Sequence, residues 1–326
     1  MKRMLYLFAG LIIAARVLTA APAADDFETA KVEAEKGDAK AQYALARCYA
    51  HGNGVEQDWS KAANYLEKSA EQDYVPAETD LAALYAKGLG LKQDFAEAFK
   101  WYLKAAENGD PLAQFAIGEC YRSGRGATND PVEGIKWYRK SAGQNQPEAE
   151  NALGQCYFHG VGVGQNYTEA AKWLREAATQ GYVGAMNNLG FLYENGSGVK
   201  RDFQEAVKWY EKAAEQGDAK AQGNLGRCYE EGMGVPRDFV LAYKWSKLSA
   251  MSGDAVGTRY LQDYQDNQRL NSNQQSEADR LVNEFLAKKI SWEKLTAASH
   301  PATLQPTNQP SNGAAPGVAA QSTAGN

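Results

Sequence analysis

Residues 185–214 read AMNNLGFLYENGSGVKRDFQEAVKWYEKAA, and this stretch decides the fold. Ala185, Leu189, Leu192 and Tyr193 fall at i, i+4, i+7 and i+8, which is one face of an α-helix; the alternation a strand needs is absent. Gly196 and Gly198 end that helix, because glycine tolerates the left-handed conformation common at a helix C-terminus and permits a tight reversal. Asp202 follows as the N-cap of a second helix, and Glu205, three residues on, completes the pattern of a capping box. In the second helix a small residue, Ala206, precedes a large one, Trp209, and alanines close the run, so neighbouring helices can approach closely.

The same pattern recurs six times over residues 37–252 at a strict period of 36, with no insertion or deletion. Its alanines are Ala41, Ala77, Ala113, Ala149, Ala185 and Ala221, and its tyrosines Tyr49, Tyr85, Tyr121, Tyr157, Tyr193 and Tyr229. The caps are Asp58, Asp94, Asp130, Asn166, Asp202 and Asp238, and the second-helix aromatics Tyr65, Trp101, Trp137, Trp173, Trp209 and Trp245. Such a period marks a solenoid. One hairpin cannot bury its own apolar face. Each large side chain that stacking covers contributes roughly 1.5–3 kcal/mol.

The pattern predicts an all-α protein with atypical ends. Residues 24–36 read as an N-terminal capping helix with Ala34 in phase, and residues 253–292 as a half-repeat lacking the glycine turn, followed by a closing helix. Ser272 and Gln275 are the expected capping box of that helix, and Ala278, Leu281, Val282, Phe285 and Leu286 its apolar face. Residues 293–326, rich in Pro, Ala, Asn and Gln, have the composition of a disordered tail. At the other end, Lys2 and Arg3 precede an apolar run and then small residues that include Ala21-Pro22-Ala23, the layout of a secretory signal peptide over residues 1–23. Arg16 breaks the apolar run, which also falls short of the about 20 residues a membrane span needs. The expected location is therefore periplasmic or secreted, with no membrane span after cleavage; retention of the segment as an uncleaved anchor is the alternative.

Net charge is -5, and no basic block lies beyond the N-terminus, so a nucleic-acid partner lacks its electrostatic footprint. Cys48, Cys120, Cys156 and Cys228 share one repeat position, filled by Leu84 and Leu192 in the other copies. Equivalent packed helices lie about 8–10 Å apart, whereas a disulfide wants Cα atoms within about 7 Å. Four free, buried thiols are expected. His51 and His159 share a repeat position otherwise held by Lys87, Ser123, Asn195 and Glu231, which reads as a solvated site, and no metal-ligand spacing occurs. No cofactor is implied. Ser197-x-x-Lys200 and Ser291-x-x-Lys294 match the spacing of penicillin-recognising enzymes but lack the accompanying Ser-Asp-Asn and Lys-Thr-Gly motifs. A hydrolase acting on cell-wall or antibiotic substrates thus has no nucleophile-base constellation to use, and a binder of wall polysaccharide through exposed aromatics is a further alternative.

The run A-x-x-x-L-G-x-x-Y-x-x-G-x-G-V-x-x-D-F-x-x-A-x-x-W-Y-x-x-A-A, whole in residues 185–214 and legible in all six copies, resembles the Sel-one-like repeat, a relative of the tetratricopeptide repeat. The resemblance implies a right-handed α/α superhelical solenoid that works as a non-catalytic scaffold, holding proteins or peptides on its concave face. Members occur among exported bacterial proteins. One cysteine-rich branch joins two cysteines within each hairpin; this chain has at most one per copy, so the activity suggested for that branch is not carried over. In related arrays the first helix lines the groove, and its variable positions are the expected binding face: Tyr43, Arg47, Phe115, Glu119, Arg122, Gln155, Phe158, Asn187, Phe191, Glu194 and Arg227. Aromatic and arginine side chains dominate binding hot spots.

Overall fold

A computed structural model describes residues 26–299 of the chain. The signal peptide expected at 1–23 and the tail from residue 300 onward lie outside the described residues. Among the described residues there are fifteen α-helices and no strand. They are α1 (Asp26–Glu35), α2 (Ala39–His51), α3 (Trp59–Ala70), α4 (Val75–Lys87), α5 (Phe95–Glu107), α6 (Pro111–Ser123), α7 (Pro131–Ala142) and α8 (Pro147–His159). The remainder are α9 (Tyr167–Thr179), α10 (Val183–Asn195), α11 (Phe203–Glu215), α12 (Ala219–Glu231), α13 (Phe239–Met251), α14 (Ala255–Asp266) and α15 (Ser272–Ser299). Each even-numbered helix from α2 to α12 is the first helix of a copy, and the helix after it is the second. From α1 to α14 every helix packs on its neighbours in sequence, which makes the molecule the expected α/α solenoid.

The two glycines of each turn have different tasks. The first, at Gly52, Gly88, Gly124, Gly160, Gly196 and Gly232, caps the first helix at φ of +69° to +73° and donates its N–H to the carbonyl four residues back. The second is a spacer between copies. A Cβ on Gly90, Gly126, Gly162, Gly198 or Gly234 would lie 2.0–2.5 Å from the backbone of Trp59, Phe95, Pro131, Tyr167 or Phe203, the first residue of the previous copy's second helix. The turn closes with a backbone bond of 2.8–3.0 Å from the N-cap N–H to the repeat tyrosine's carbonyl in all six copies.

The expected capping box is only half made. Asp94, Asp130, Asn166 and Asp202 accept from the second and third N–H groups of α5, α7, α9 and α11. Glu97, Glu133 and Glu205 do not reach back; they pair with Lys100, Lys136 and Lys208 one turn on. The N-cap N–H they would have accepted is already given to the tyrosine carbonyl.

The core is a continuous seam. Leu45, Leu81, Ile117, Leu153, Leu189 and Leu225, all at one repeat position, are at most 1% exposed. At the N-terminal end α1 buries Ala30 and Ala34, and Phe27 meets Tyr49 edge-on at 5.8 Å. At the other end α15 lies on α13, burying Ala278 and Val282 and setting Phe285 against Trp245 at 5.6 Å. The cap of α15 falls one residue earlier than expected: Asn271 Oδ1 accepts from Gln274 N–H, and Gln274 Oε1 accepts from Asn271 N–H. Helix α15 also continues to Ser299, past the composition change at 293.

Candidate functional site: the face of the first helices

On each first helix, residues three and four apart share a face. The row of Arg47, Glu119, Gln155, Phe191 and Arg227 therefore lies beside the row of Arg122, Phe158 and Glu194, three residues further on. Between copies the two rows meet as rungs. Phe191 of α10 contacts Phe158 of α8, ring centroids 6.0 Å apart, and Arg227 Nη2 of α12 donates to both oxygens of Glu194 on α10 at 2.7 and 2.8 Å.

Several expected binding residues therefore have partners within the chain. Phe115 is corrected outright: it is 4% exposed and packs against Tyr138 at 5.8 Å, because its side chain points between the two helices of its own copy. Asn187 is 9% exposed and accepts from Asn224 Nδ2 at 3.0 Å, as Asn151 accepts from Asn188 at 3.3 Å. Tyr43 and Arg47 are half-buried, with Arg47 over the Tyr43 ring and Tyr43 against Tyr74 at 5.3 Å. Gln155 is half-buried. Of the eleven, Phe191 alone is exposed, at 43%; with Phe158 and Tyr167, whose rings lie 5.3 Å apart, it forms an aromatic patch over copies four and five.

Sequence reasoning missed a tyrosine beneath this face. Tyr138 of α7 and Tyr210 of α11, each directly after a repeat tryptophan, are fully buried, yet their hydroxyls emerge between the helices. Room is made by Gly118 and Gly190, where a Cβ would lie 2.5 Å and 2.7 Å from the respective rings. The Tyr138 hydroxyl donates to Glu119, and the Tyr210 hydroxyl donates to Glu194 at 2.9 Å. Each carboxylate also holds an arginine. Arg122 gives Nε and Nη2 to Glu119 at 2.9 and 2.5 Å, and Arg227 is bound to Glu194 as above. Burial opposes the charge of both arginines, but the hydrogen bonds they donate to the carboxylates outweigh it and hold the guanidinium groups above their ordinary value. The tyrosines are pushed well above the phenol range, first by burial and then by the carboxylates. A third triad closes the array: Tyr264 of α14 donates to Glu230 of α12, and Arg269 donates to the same carboxylate. The left-handed Gln268, φ +47°, turns the chain after α14 just before Arg269. The tyrosine-for-leucine exchanges at the Tyr138 and Tyr210 position were the available signal, since Leu66 and Leu174 stand there in copies one and four.

Other candidate chemistry resolves into structure. Cys48, Cys156 and Cys228 are buried, Cys120 is half-buried, and all four are free. Burial, above all, pushes the Cys120 and Cys228 thiols up to about 12 and Cys156 to about 11. Ser197 sits in a repeat turn, its N–H bound to the Leu192 carbonyl. His51 is buried, unlike the exposed His159, so the shared position is not solvated in every copy. Among the described residues no group of three or more His, Cys, Asp or Glu is placed to hold a metal ion, and no helix is long and apolar enough to cross a membrane.

The Sel1 repeat model matches residues 39–74, 75–110, 111–146, 147–182, 183–218 and 219–254. Among solved structures, c5321, described as a protective antigen present in uropathogenic Escherichia coli strains displaying an SLR fold, is 35% identical, with a TM-score of 0.70 over 79% of this chain. This chain spans only 56% of that protein's length. A Sel1 repeat protein from Oxalobacter formigenes is 36% identical, with a TM-score of 0.62 over 70% of this chain and 90% of its own. No match was found among curated proteins.

Proposed function

The chain belongs to the Sel1 repeat family, whose members are generally protein-interaction scaffolds, and from that premise we propose that it is an exported, non-catalytic scaffold holding an extended protein segment against its first helices. The carrying observation is the rung formed by Phe158 and Phe191. Neighbouring contacts on this face are polar and made within the chain, whereas this one leaves an aromatic surface open to water, with Phe191 43% exposed and Tyr167 38%. Beside it Asn188 and Asn224 donate to Asn151 and Asn187 and each keeps a second N–H and its C=O, groups suited to a peptide backbone. The arrangement of residues 1–23 supports export.

A photo-crosslinking amino acid placed at Phe191 should yield a discrete adduct in the native host, and one at Val132, 56% exposed at the start of α7, should not. Equal labelling from both positions would refute the assignment of the face. Intact mass of the secreted form tests the export half: a mature protein retaining residues 1–20 sinks cleavage.

A further inference from the structure

The third Tyr-Glu-Arg triad has something the first two lack. Arg269, held by the Glu230 carboxylate, turns a second nitrogen, Nη2, to the carboxylate of Asp263 at 2.8 Å. One guanidinium thus bridges an internal prop and a second acid. Arg122 and Arg227 are propped in the same way by Glu119 with Tyr138 and by Glu194 with Tyr210. Nη1 of Arg122, and Nη1 and Nε of Arg227, make no bond within the described residues, and the side chains are 23% and 22% exposed. A guanidinium has five N–H donors in a rigid fork, and its strongest complement is a carboxylate. The prop fixes the rotamer, so little side-chain freedom remains to be lost on binding.

We propose that Arg122 and Arg227 are receptors for two carboxylates of one extended partner segment, with an apolar side chain between them seated on Phe158 and Phe191. This rests on the groove reading above and names its specificity. Arg122 lies on copy three, the aromatic rung at the joint of copies four and five, and Arg227 at the joint of copies five and six. Consecutive copies are offset by at least the about 8–10 Å that separates packed helices, and an extended chain advances about 3.3 Å per residue. The two acids therefore stand at least about five residues apart, with the apolar residue between them. The internal precedent supplied by Asp263 favours a carboxylate over a neutral amide, and the aromatic rung between the arginines favours a single continuous segment.

The test is selection of a phage-displayed library of random dodecapeptides on the full chain, followed by affinities of the synthetic winners. Enrichment of Asp or Glu at two positions at least about five apart, flanking an aliphatic or aromatic residue, is expected. Changing either acid to its amide should weaken binding about tenfold, and the same loss should appear with the protein variants Glu119→Gln/Arg122→Gln and Glu194→Gln/Arg227→Gln. The paired substitutions avoid leaving a half-buried carboxylate alone, and a thermal melt checks that each remains folded. If winners are enriched only in apolar residues, lose affinity with Phe191→Ala and ignore the arginine variants, the carboxylate proposal falls and the groove reading survives. If no peptide is enriched over panning on the Phe158→Ala/Phe191→Ala variant, both fall.

Discussion

Gly124 and Gly126 belong to one turn, have almost the same backbone conformation, φ +72° and +74°, and do different things. Alanine at either must adopt the left-handed region, at a cost of about 1–2 kcal/mol. At Gly124 a Cβ would find its nearest neighbour, Asn129 Cβ, at 3.3 Å, which a slight shift relieves. At Gly126 it would lie 2.0 Å from the Phe95 carbonyl oxygen and 2.9 Å from Phe99 Cβ. Backbone cannot rotate away as a side chain can, so copies two and three must move apart. Overpacking of this kind costs about 1–3 kcal/mol. Gly124→Ala should therefore lose about 1–2 kcal/mol and Gly126→Ala about 2–5 kcal/mol, the sum of the two effects. Urea denaturation followed by circular dichroism measures the difference, and because solenoid stability is nearly a sum over neighbouring copies, hydrogen exchange should place the extra loss at the joint of α5 with α6. Equal destabilisation by the two alanines would refute the spacer role and leave the second glycine as a conformational requirement only.

Asp94→Ala should cost about 1 kcal/mol through loss of the N-cap, whereas Glu97→Ala should cost less than about 0.5 kcal/mol, the worth of its exposed pair with Lys100; thermal melts of both variants check this. Thiol labelling of the native protein near pH 8 should be slow, since a thiol raised from 9.0 to about 12 has a thiolate fraction lower by about three orders of magnitude. Half-buried Cys120 should react before the others, and all four should react in denaturant. Glu150, buried at the base of α8 and facing Gln180, Glu176 and Glu148, has its carboxyl raised from the ordinary 4.5, first by burial, against the hydrogen bond from Gln180. Its contribution to stability is then full below that ordinary value and lost as pH rises through the raised one. Glu150→Gln recreates the Gln72–Gln42 and Gln144–Gln114 pairs of copies one and three. It should exceed the parent by about 1 kcal/mol near pH 7, with the gap closing towards pH 4, and a gap that widened on acidification would contradict the assignment.

The architecture was legible because its signals are local and repeated six times: apolar spacing, glycine turn and N-cap each recur where a helix end physically needs them. The second glycine of each turn was only half legible, since its neighbour, for example Phe95 beneath Gly126, is 31 residues away in sequence and only the packed joint brings it near. The capping box misled for a related reason. The pattern supplied a glutamate at the right spacing, but a backbone bond to the repeat tyrosine had already used the donor.

The binding face was read from variation, and variation alone does not separate contact with a partner from contact between copies. Glu119 and Arg122 vary against their equivalents in other copies because they bond to each other and to Tyr138; Glu194 and Arg227 do so across a joint, with the order of acid and base reversed between the two rows. Phe115 packs on Tyr138 of its own copy. A substitution in either row is therefore answered within its own copy, as at Glu119 and Arg122, or in the adjoining one, as at Glu194 and Arg227, which makes the copies non-interchangeable although their fixed residues are nearly the same. What distinguishes a contact free for a partner is an unanswered group: the open aromatic edge of Phe191, or the unused guanidinium nitrogens of Arg122 and Arg227, whose counterpart on Arg269 already holds Asp263. Such groups are found by counting donors and exposed rings within one folded array, and that count places the candidate surface on copies three to six.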